Sequence, residues 1–93
     1  MPENTRVLLN IYGRVQGVFF RAETQKQASN LGLTGWVKNN SNGTVQAIAE
    51  GDKQSINQLI SWCKEGSSAA AVDKVDVSWL PHTGEFKDFI IKY

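Results

Sequence analysis

A helix that is apolar along one stripe must bury that stripe against a second layer, and this chain contains two such segments. The first, residues 22–31, lacks glycine and proline, and its stripe starts just before it: Phe20, Thr24, Ala28 and Leu31. The second, from Lys53 to about Glu65, shows the i, i+3, i+4, i+7 spacing: Ile56, Leu59, Ile60 and Cys63. Asp52 is suited to cap this second helix. Both stripes require a sheet face to cover.

Alternating apolar residues around these helices predict five strands, at residues 7–12, 33–39, 44–50, 75–80 and 86–93. Asn42-Gly43 predicts a hairpin between the second and third strands, because this pair tolerates positive φ at both turn positions. Alternation places Trp79 in the core and Tyr93 on the face of Phe89 and Ile91. The order indicates an α+β, ferredoxin-like (split β-α-β) two-layer sandwich, with a mainly antiparallel sheet of four to five strands and two helices on one face. We expect residues 1–93 to form a single domain.

Charge and composition exclude several kinds of partner. The formal net charge is +1, so no broad electrostatic field is present to hold nucleic acid or an anionic membrane. Cys63 is the only cysteine, which excludes an intrachain disulfide and a cysteine-based zinc site. No stretch has the roughly 20 apolar residues of a membrane span, and residues 1–5 show no signal-peptide pattern. We therefore expect a cytoplasmic monomer without a nucleic-acid or membrane partner.

The stretch 13–21, Gly-Arg-Val-Gln-Gly-Val-Phe-Phe-Arg, joins the first predicted strand to the first predicted helix. Its glycines allow consecutive main-chain N–H groups to turn toward one point, where the unpaired N–H groups and positive dipole end of the helix add to them. Arg21 supplies a planar guanidinium that suits two phosphate oxygens. The pattern predicts a site for phosphate or another small anion. The alternative is a tight turn at Gly13 and Gly17 beside a solvated Arg21, and the spacing matches neither the Walker nor the dinucleotide-binding pattern.

Asn39 ends the second predicted strand, which we expect to lie near this loop. Its carboxamide has an acceptor and two donors but no charge. Beside a phosphate it can hold a water molecule, whereas a carboxylate there would repel the anion. The alternative is that Asn39 and Asn40 only begin the hairpin turn.

Two stretches resemble the signatures of the acylphosphatase family. Residues 13–21 look like the first signature, and residues 35–45, Gly-Trp-Val-Lys-Asn-Asn-Ser-Asn-Gly-Thr-Val, look like the second. Length and element order agree over essentially the whole chain. The resemblance departs at Asn40, where many members carry Thr, and in residues 66–71, which lack the prolines often found there.

This resemblance implies an enzyme that hydrolyses acyl phosphates to a carboxylate and inorganic phosphate, without a metal or cofactor. By the family's pattern, Arg21 and Asn39 are the catalytic residues: Arg21 binds the phosphate and Asn39 orients the attacking water. The resemblance also implies that the phosphate is bound by main-chain amides of the loop: Val15, Gln16, Gly17, Val18, Phe19 and Phe20.

Two non-catalytic alternatives remain open at this point. A regulatory small-molecule domain would keep the anion loop without turnover. An RNA-binding sheet would use Tyr12 and Trp36, but the aromatic signature of such domains is absent and the net charge is small. We expect His82, the sole histidine, to be an exposed turn residue, and Cys63 to be a small core residue.

Overall fold

The structure is a computed structural model that describes residues 3–93. The elements in chain order are β1 (Asn4–Arg14), α1 (Phe20–Asn30), β2 (Thr34–Asn39), β3 (Val45–Asp52), α2 (Lys53–Glu65), β4 (Ala71–Leu80) and β5 (Phe89–Ile91). The strands form one sheet in the order β4-β1-β3-β2-β5. Only β2 and β5 pair in parallel, and the other neighbouring pairs are antiparallel. The predicted ferredoxin-like arrangement is confirmed, with a fifth strand at one edge of the sheet.

Both helices cover the same face of the sheet. Alternate residues of β1 are fully buried, and they share one apolar cluster with the stripes of α1 and α2: Val7, Leu9, Ile11, Phe20, Ala28, Ile56, Leu59 and Cys63. Helix α2 has the predicted bounds, and the Asp52 carboxylate accepts a hydrogen bond from the Ser55 N–H at 3.3 Å. Helix α1 begins earlier than predicted, at Phe20. The helical periodicity therefore located both helices, which together form one layer of the sandwich.

Two aromatic residues do not lie where the alternation predicts. Trp79 is 43% exposed, because β4 is an edge strand with a sheet neighbour, β1, on one side only. Tyr93 is fully exposed, because the last strand ends at Ile91 and pairs with β2 only over residues 35–37. The expectation that Trp79 belongs to the core was wrong, and the last strand is shorter than the predicted residues 86–93, so that Tyr93 lies beyond it.

Two glycines have conformations that the paired strands β2 and β3 and the turn between them require. Gly35 lies within β2 at φ +139°, and a Cβ there would overlap the Ile48 carbonyl of β3, so this strand position requires glycine. In the β2–β3 hairpin, Gly43 is the turn residue with positive φ, at +91°, and Asn42 does not share that conformation. The hairpin is confirmed, but its predicted turn type was wrong: one glycine in the left-handed region closes it.

A buried carboxylate holds the segment that joins β4 to β5 across the sheet. Glu50 of β3 is almost fully buried, and it accepts hydrogen bonds from Thr83 N (3.0 Å), Thr83 Oγ1 (2.8 Å) and Gly84 N (2.9 Å). Arg6 Nη1 of β1 lies 3.3 Å from Glu50 Oε2. Burial raises the pKa of the Glu50 carboxyl. The hydrogen bonds from Thr83 and Gly84 and the nearby His82 lower it by more than burial raises it, so the pKa lies below its ordinary value.

We expect Glu50→Gln to lower the free energy of unfolding at neutral pH by about 2 kcal/mol, because the amide replaces an ionised acceptor of several hydrogen bonds. A lowered pKa contributes stability that is present above the ordinary value of 4.5 and is lost as the pH falls through the folded-state pKa. The gap between the wild type and Glu50→Gln should therefore narrow from pH 7 toward pH 3 in urea unfolding. Asp76→Asn, which alters an exposed carboxylate on β4, is the control. A gap independent of pH would contradict the role assigned to the ionised carboxylate.

Candidate active site

The register of the sheet brings Asn39 to the edge where β1 leads into its loop. Strands β1 and β2 both run antiparallel to β3, so they run in the same direction and end at the same edge. Val45 of β3 pairs with Ile11 on one side and with Asn39 on the other. The two segments that carry the candidate site residues are therefore held on either side of one strand.

A pocket of about 310 Å³ opens at this edge of the sheet. It is lined by residues of the loop, the start of α1, the end of β2 and the C-terminal segment: Val15, Gly17, Phe19, Phe20, Arg21, Ala22, Asn39, Ile91 and Tyr93. Both residues predicted to be catalytic, Arg21 and Asn39, thus line the same pocket.

The loop between β1 and α1 has the backbone form of an anion nest. Gly17 and Phe19, at alternate positions, have positive φ of +73° and +62°, and alternation of this kind turns main-chain N–H groups to one side. Within residues 3–93, no group accepts a hydrogen bond from the N–H groups of residues 16–20. Val15 and Phe20 are buried and fix both ends of the loop. The loop therefore presents unpaired donors at the positive end of α1.

Phe19 is a strained position in this loop. It is the only non-glycine residue with positive φ in the described part of the chain, and this conformation costs about 1–2 kcal/mol for an L-residue with a side chain. It directly precedes the first residue of α1. The fold thus holds the entrance of the helix in a conformation that local preference disfavours.

Arg21 is the second residue of α1 and is partly buried. Its guanidinium carbon lies 5.1 Å from the ring centroid of Tyr93. No carboxylate among residues 3–93 forms an ion pair with it. Its charge is therefore not neutralised by a side-chain carboxylate of the described chain, and a guanidinium left in this state suits an anionic ligand.

Asn39 is the last residue of β2, and its carboxamide is not used by the fold. Its Oδ1 is buried and has no hydrogen-bond partner in the described part of the chain. Buried polar atoms normally have a partner, so an orphaned one beside a pocket indicates a role toward a ligand or a bound water.

The Gln16 side chain ties the loop to the turn that follows Asn39. Its Nε2 donates to the main-chain oxygens of Asn40 at 2.7 Å and Thr44 at 2.9 Å. Asn40, the departure from the family's pattern, donates from Nδ2 to Thr44 Oγ1 at 3.1 Å, so the turn has a side-chain hydrogen bond at this position. The resemblance implied a role only for the main-chain amide of Gln16, because no local pattern indicates where a single glutamine side chain reaches.

The remaining reactive side chains lie outside the pocket. His82 is exposed, as predicted, and its Nε2 lies 3.6 Å from Glu50 Oε1. Cys63 is buried in the core, as predicted, and burial raises the pKa of its thiol to about 12, which makes it a poor nucleophile. Within residues 3–93, no three His, Cys, Asp or Glu side chains are grouped so that they could hold a metal ion. None of the helices described here is long and apolar enough to span a membrane.

Comparison with known proteins gives a consistent result. The family model described as Acylphosphatase matches residues 7–91. A curated acylphosphatase of Syntrophus aciditrophicus is 49% identical over 88 residues, which cover 95% of this chain and 92% of the relative. Among solved structures, an acylphosphatase from Coxiella burnetii has a TM-score of 0.90 at 40% identity, covering 96% of this chain and 93% of that one. An acylphosphatase from Bacillus subtilis has a TM-score of 0.92 at 32% identity, covering 96% and 99%.

The fold is a small two-layer domain, and its pocket combines Arg21 with a loop of unpaired main-chain donors. These two features, together with the relatives, define the class of protein. The chain belongs to the acylphosphatase family, a family of hydrolases. The resemblance indicated by residues 13–21 and 35–45 is confirmed.

We expect Gln16→Leu to lower kcat for acyl phosphate hydrolysis by about 10- to 100-fold, because small misplacements of a site residue are costly. Loss of the Gln16 hydrogen bonds frees the turn next to Asn39, while the main-chain donors of the loop are retained. The inhibition constant of inorganic phosphate should therefore change much less than kcat. Gln58→Leu, at an exposed position of α2, is the matched control. Unchanged kcat in a folded Gln16→Leu protein would show that this contact does not position Asn39.

Proposed function

We propose that this chain hydrolyses the carboxyl–phosphate bond of acyl phosphates, giving a carboxylate and inorganic phosphate. The observation that carries the proposal is the pocket shared by Arg21, Asn39 and the loop of unpaired main-chain donors. In this proposal residues 1–93 act as one catalytic domain, as a monomer and in the cytoplasm.

In the proposed complex, the phosphoryl group binds in the loop. Its oxygens accept hydrogen bonds from the main-chain N–H groups of the predicted loop residues: Val15, Gln16, Gly17, Val18, Phe19 and Phe20. The guanidinium of Arg21 donates two further hydrogen bonds to phosphate oxygens, and the positive end of α1 adds to the attraction. These groups stabilise the charge that spreads over the phosphoryl oxygens in the transition state.

Asn39 is proposed to orient the attacking water. The water oxygen forms a bond to phosphorus, and the bond from phosphorus to the acyl oxygen breaks, so the electron pair leaves with the carboxylate. A carboxylate is a good leaving group and needs no strong general acid. One proton of the water passes to an oxygen of the substrate's own phosphate, so the reaction requires no protein base. The unpartnered Asn39 carboxamide supports this role, because it can bind water without repelling the anion.

The experiment that tests the proposal is phosphate release from benzoyl phosphate by the purified protein. Steady turnover supports hydrolysis. Binding of inorganic phosphate without turnover would instead favour a regulatory domain that keeps the anion loop but performs no chemistry.

We expect Arg21→Lys to lower kcat/KM for benzoyl phosphate by about 100-fold or more, because a point charge cannot replace two directed N–H donors. Arg14→Lys is the matched control, since Arg14 is exposed and does not line the pocket. Circular dichroism and thermal unfolding check that both variants fold. Near-normal turnover in folded Arg21→Lys would remove Arg21 from the mechanism.

We expect Asn39→Ala to lower kcat by about 100-fold, while the dissociation constant of inorganic phosphate, measured by calorimetry, changes by only about threefold. The reason is that Asn39 acts on the water and the loop binds the anion. Asn57→Ala, at an exposed position of α2, is the control. An equal loss of turnover and phosphate binding would show that Asn39 builds the loop and does not orient water.

A further inference from the structure

Phe19 combines two unfavourable features at one position. Its backbone is in the left-handed region, at φ +62° and ψ +18°, which glycine or asparagine adopts more readily. Phe19 is 81% exposed, so burial of its apolar surface contributes little to the stability of the fold. Backbone strain at a position where the side chain adds little to stability is often a sign of function. Here the strained residue, Phe19, lines the pocket.

Tyr93 is a second exposed aromatic residue at the same pocket. It is fully exposed and lines the pocket, and its ring lies against the guanidinium of Arg21 at 5.1 Å. The other large exposed apolar residues of the described chain do not line this pocket: Trp79, Leu80 and Ile90. Phe19 and Tyr93 are therefore the large exposed apolar residues of the described chain that line the pocket together with Arg21.

The direction of the reaction determines which part of the substrate meets these rings. In an in-line displacement, the leaving group departs on the side of phosphorus opposite to the attacking water. In the proposed complex Asn39 holds the attacking water, so the acyl oxygen leaves on the side of the phosphorus that faces away from Asn39. The acyl group then meets other residues that line the pocket, of which Phe19 and Tyr93 are aromatic and exposed.

We propose that Phe19 and Tyr93 form an aromatic rim that binds the acyl group and makes the site selective for substrates with a bulky apolar or aromatic acyl group over those with a small one. This inference rests on the proposed function, since it assigns the part of the substrate that the phosphate loop does not contact. Phe19 and Tyr93 are specificity-determining residues in this account, and the rings act by removing apolar surface of the acyl group from water.

The experiment compares benzoyl phosphate with acetyl phosphate in the full chain. The wild type should have the higher kcat/KM for benzoyl phosphate. Phe19→Asn removes the ring but keeps a residue that tolerates positive φ, and it should lower the benzoyl-to-acetyl ratio of kcat/KM by about tenfold, mainly through KM. Tyr93→Ser should lower the same ratio, whereas Tyr93→Phe should keep it. Trp79→Ser, an exposed aromatic residue away from the pocket, should leave the ratio unchanged.

Binding of non-hydrolysable analogues separates this inference from the proposed function. Phenacylphosphonate and acetonylphosphonate replace the bridging oxygen of benzoyl and acetyl phosphate by a methylene group, so calorimetry reports their binding without turnover. Tighter binding of phenacylphosphonate that depends on Phe19 and Tyr93 would support the rim even if the wild type hydrolysed neither substrate, a result that would refute only the hydrolase proposal. Equal affinity for both analogues, or equal losses on both substrates in Phe19→Asn, would overturn the rim, because Phe19 would then serve only the shape of the loop.

Discussion

The site depends on the pairing of Val45 with two strands at once. Because β3 lies between β1 and β2, its first residue sets the relative height of the β1 loop and of Asn39. A shift of one residue in the β2–β3 pairing would turn Asn39 to the other face of the sheet, and the same shift in the β1–β3 pairing would turn the side chains of β1. The hydrophobic core enforces this register, since Ile11, Val37 and Ala47 are fully buried on the face that the helices cover. Packing energy therefore fixes the distance between a loop and a side chain that belong to different parts of the sequence.

Main-chain N–H groups that are not used in helices or strand pairing are grouped at both ends of the sheet. At one end, the N–H groups of Thr83 and Gly84 bind the carboxylate of Glu50, and the segment between β4 and β5 is held in place. At the other end, the N–H groups of residues 16–20 have no acceptor within the described chain. The first arrangement serves the fold, whereas in the proposed function the second binds the phosphate of the substrate. In this proposal a chain with a net charge of +1 binds an anion through local donors and needs no basic surface.

Local patterns in the sequence predicted the elements but not the long-range contacts. The stripe Ile56, Leu59, Ile60 and Cys63 located α2 with its observed bounds, because helical spacing and a capping aspartate are local signals. Alternation wrongly placed Trp79 in the core and extended the last strand to Tyr93, because it does not say which strand lies at an edge or where pairing stops. The motif of residues 13–21 indicated the anion loop, but the reach of the Gln16 side chain to Asn40 and Thr44 depends on tertiary structure. The roles of Arg21, Asn39 and the loop amides stay predictions.

Strain and unpaired donors in the loop are linked to the buried residues on either side. Val15 and Phe20 are almost fully buried, and the ring of Phe20 also packs on Trp62 of α2 at a centroid distance of 5.3 Å. This packing holds Phe19 in its left-handed conformation and prevents the loop from relaxing toward a form in which its N–H groups pair with the protein. In the proposed function, a loop held in this way is ordered before the phosphate binds, so less ordering entropy opposes binding. In the proposed reaction, rigid donors of this kind need no reorganisation as charge develops on the phosphate.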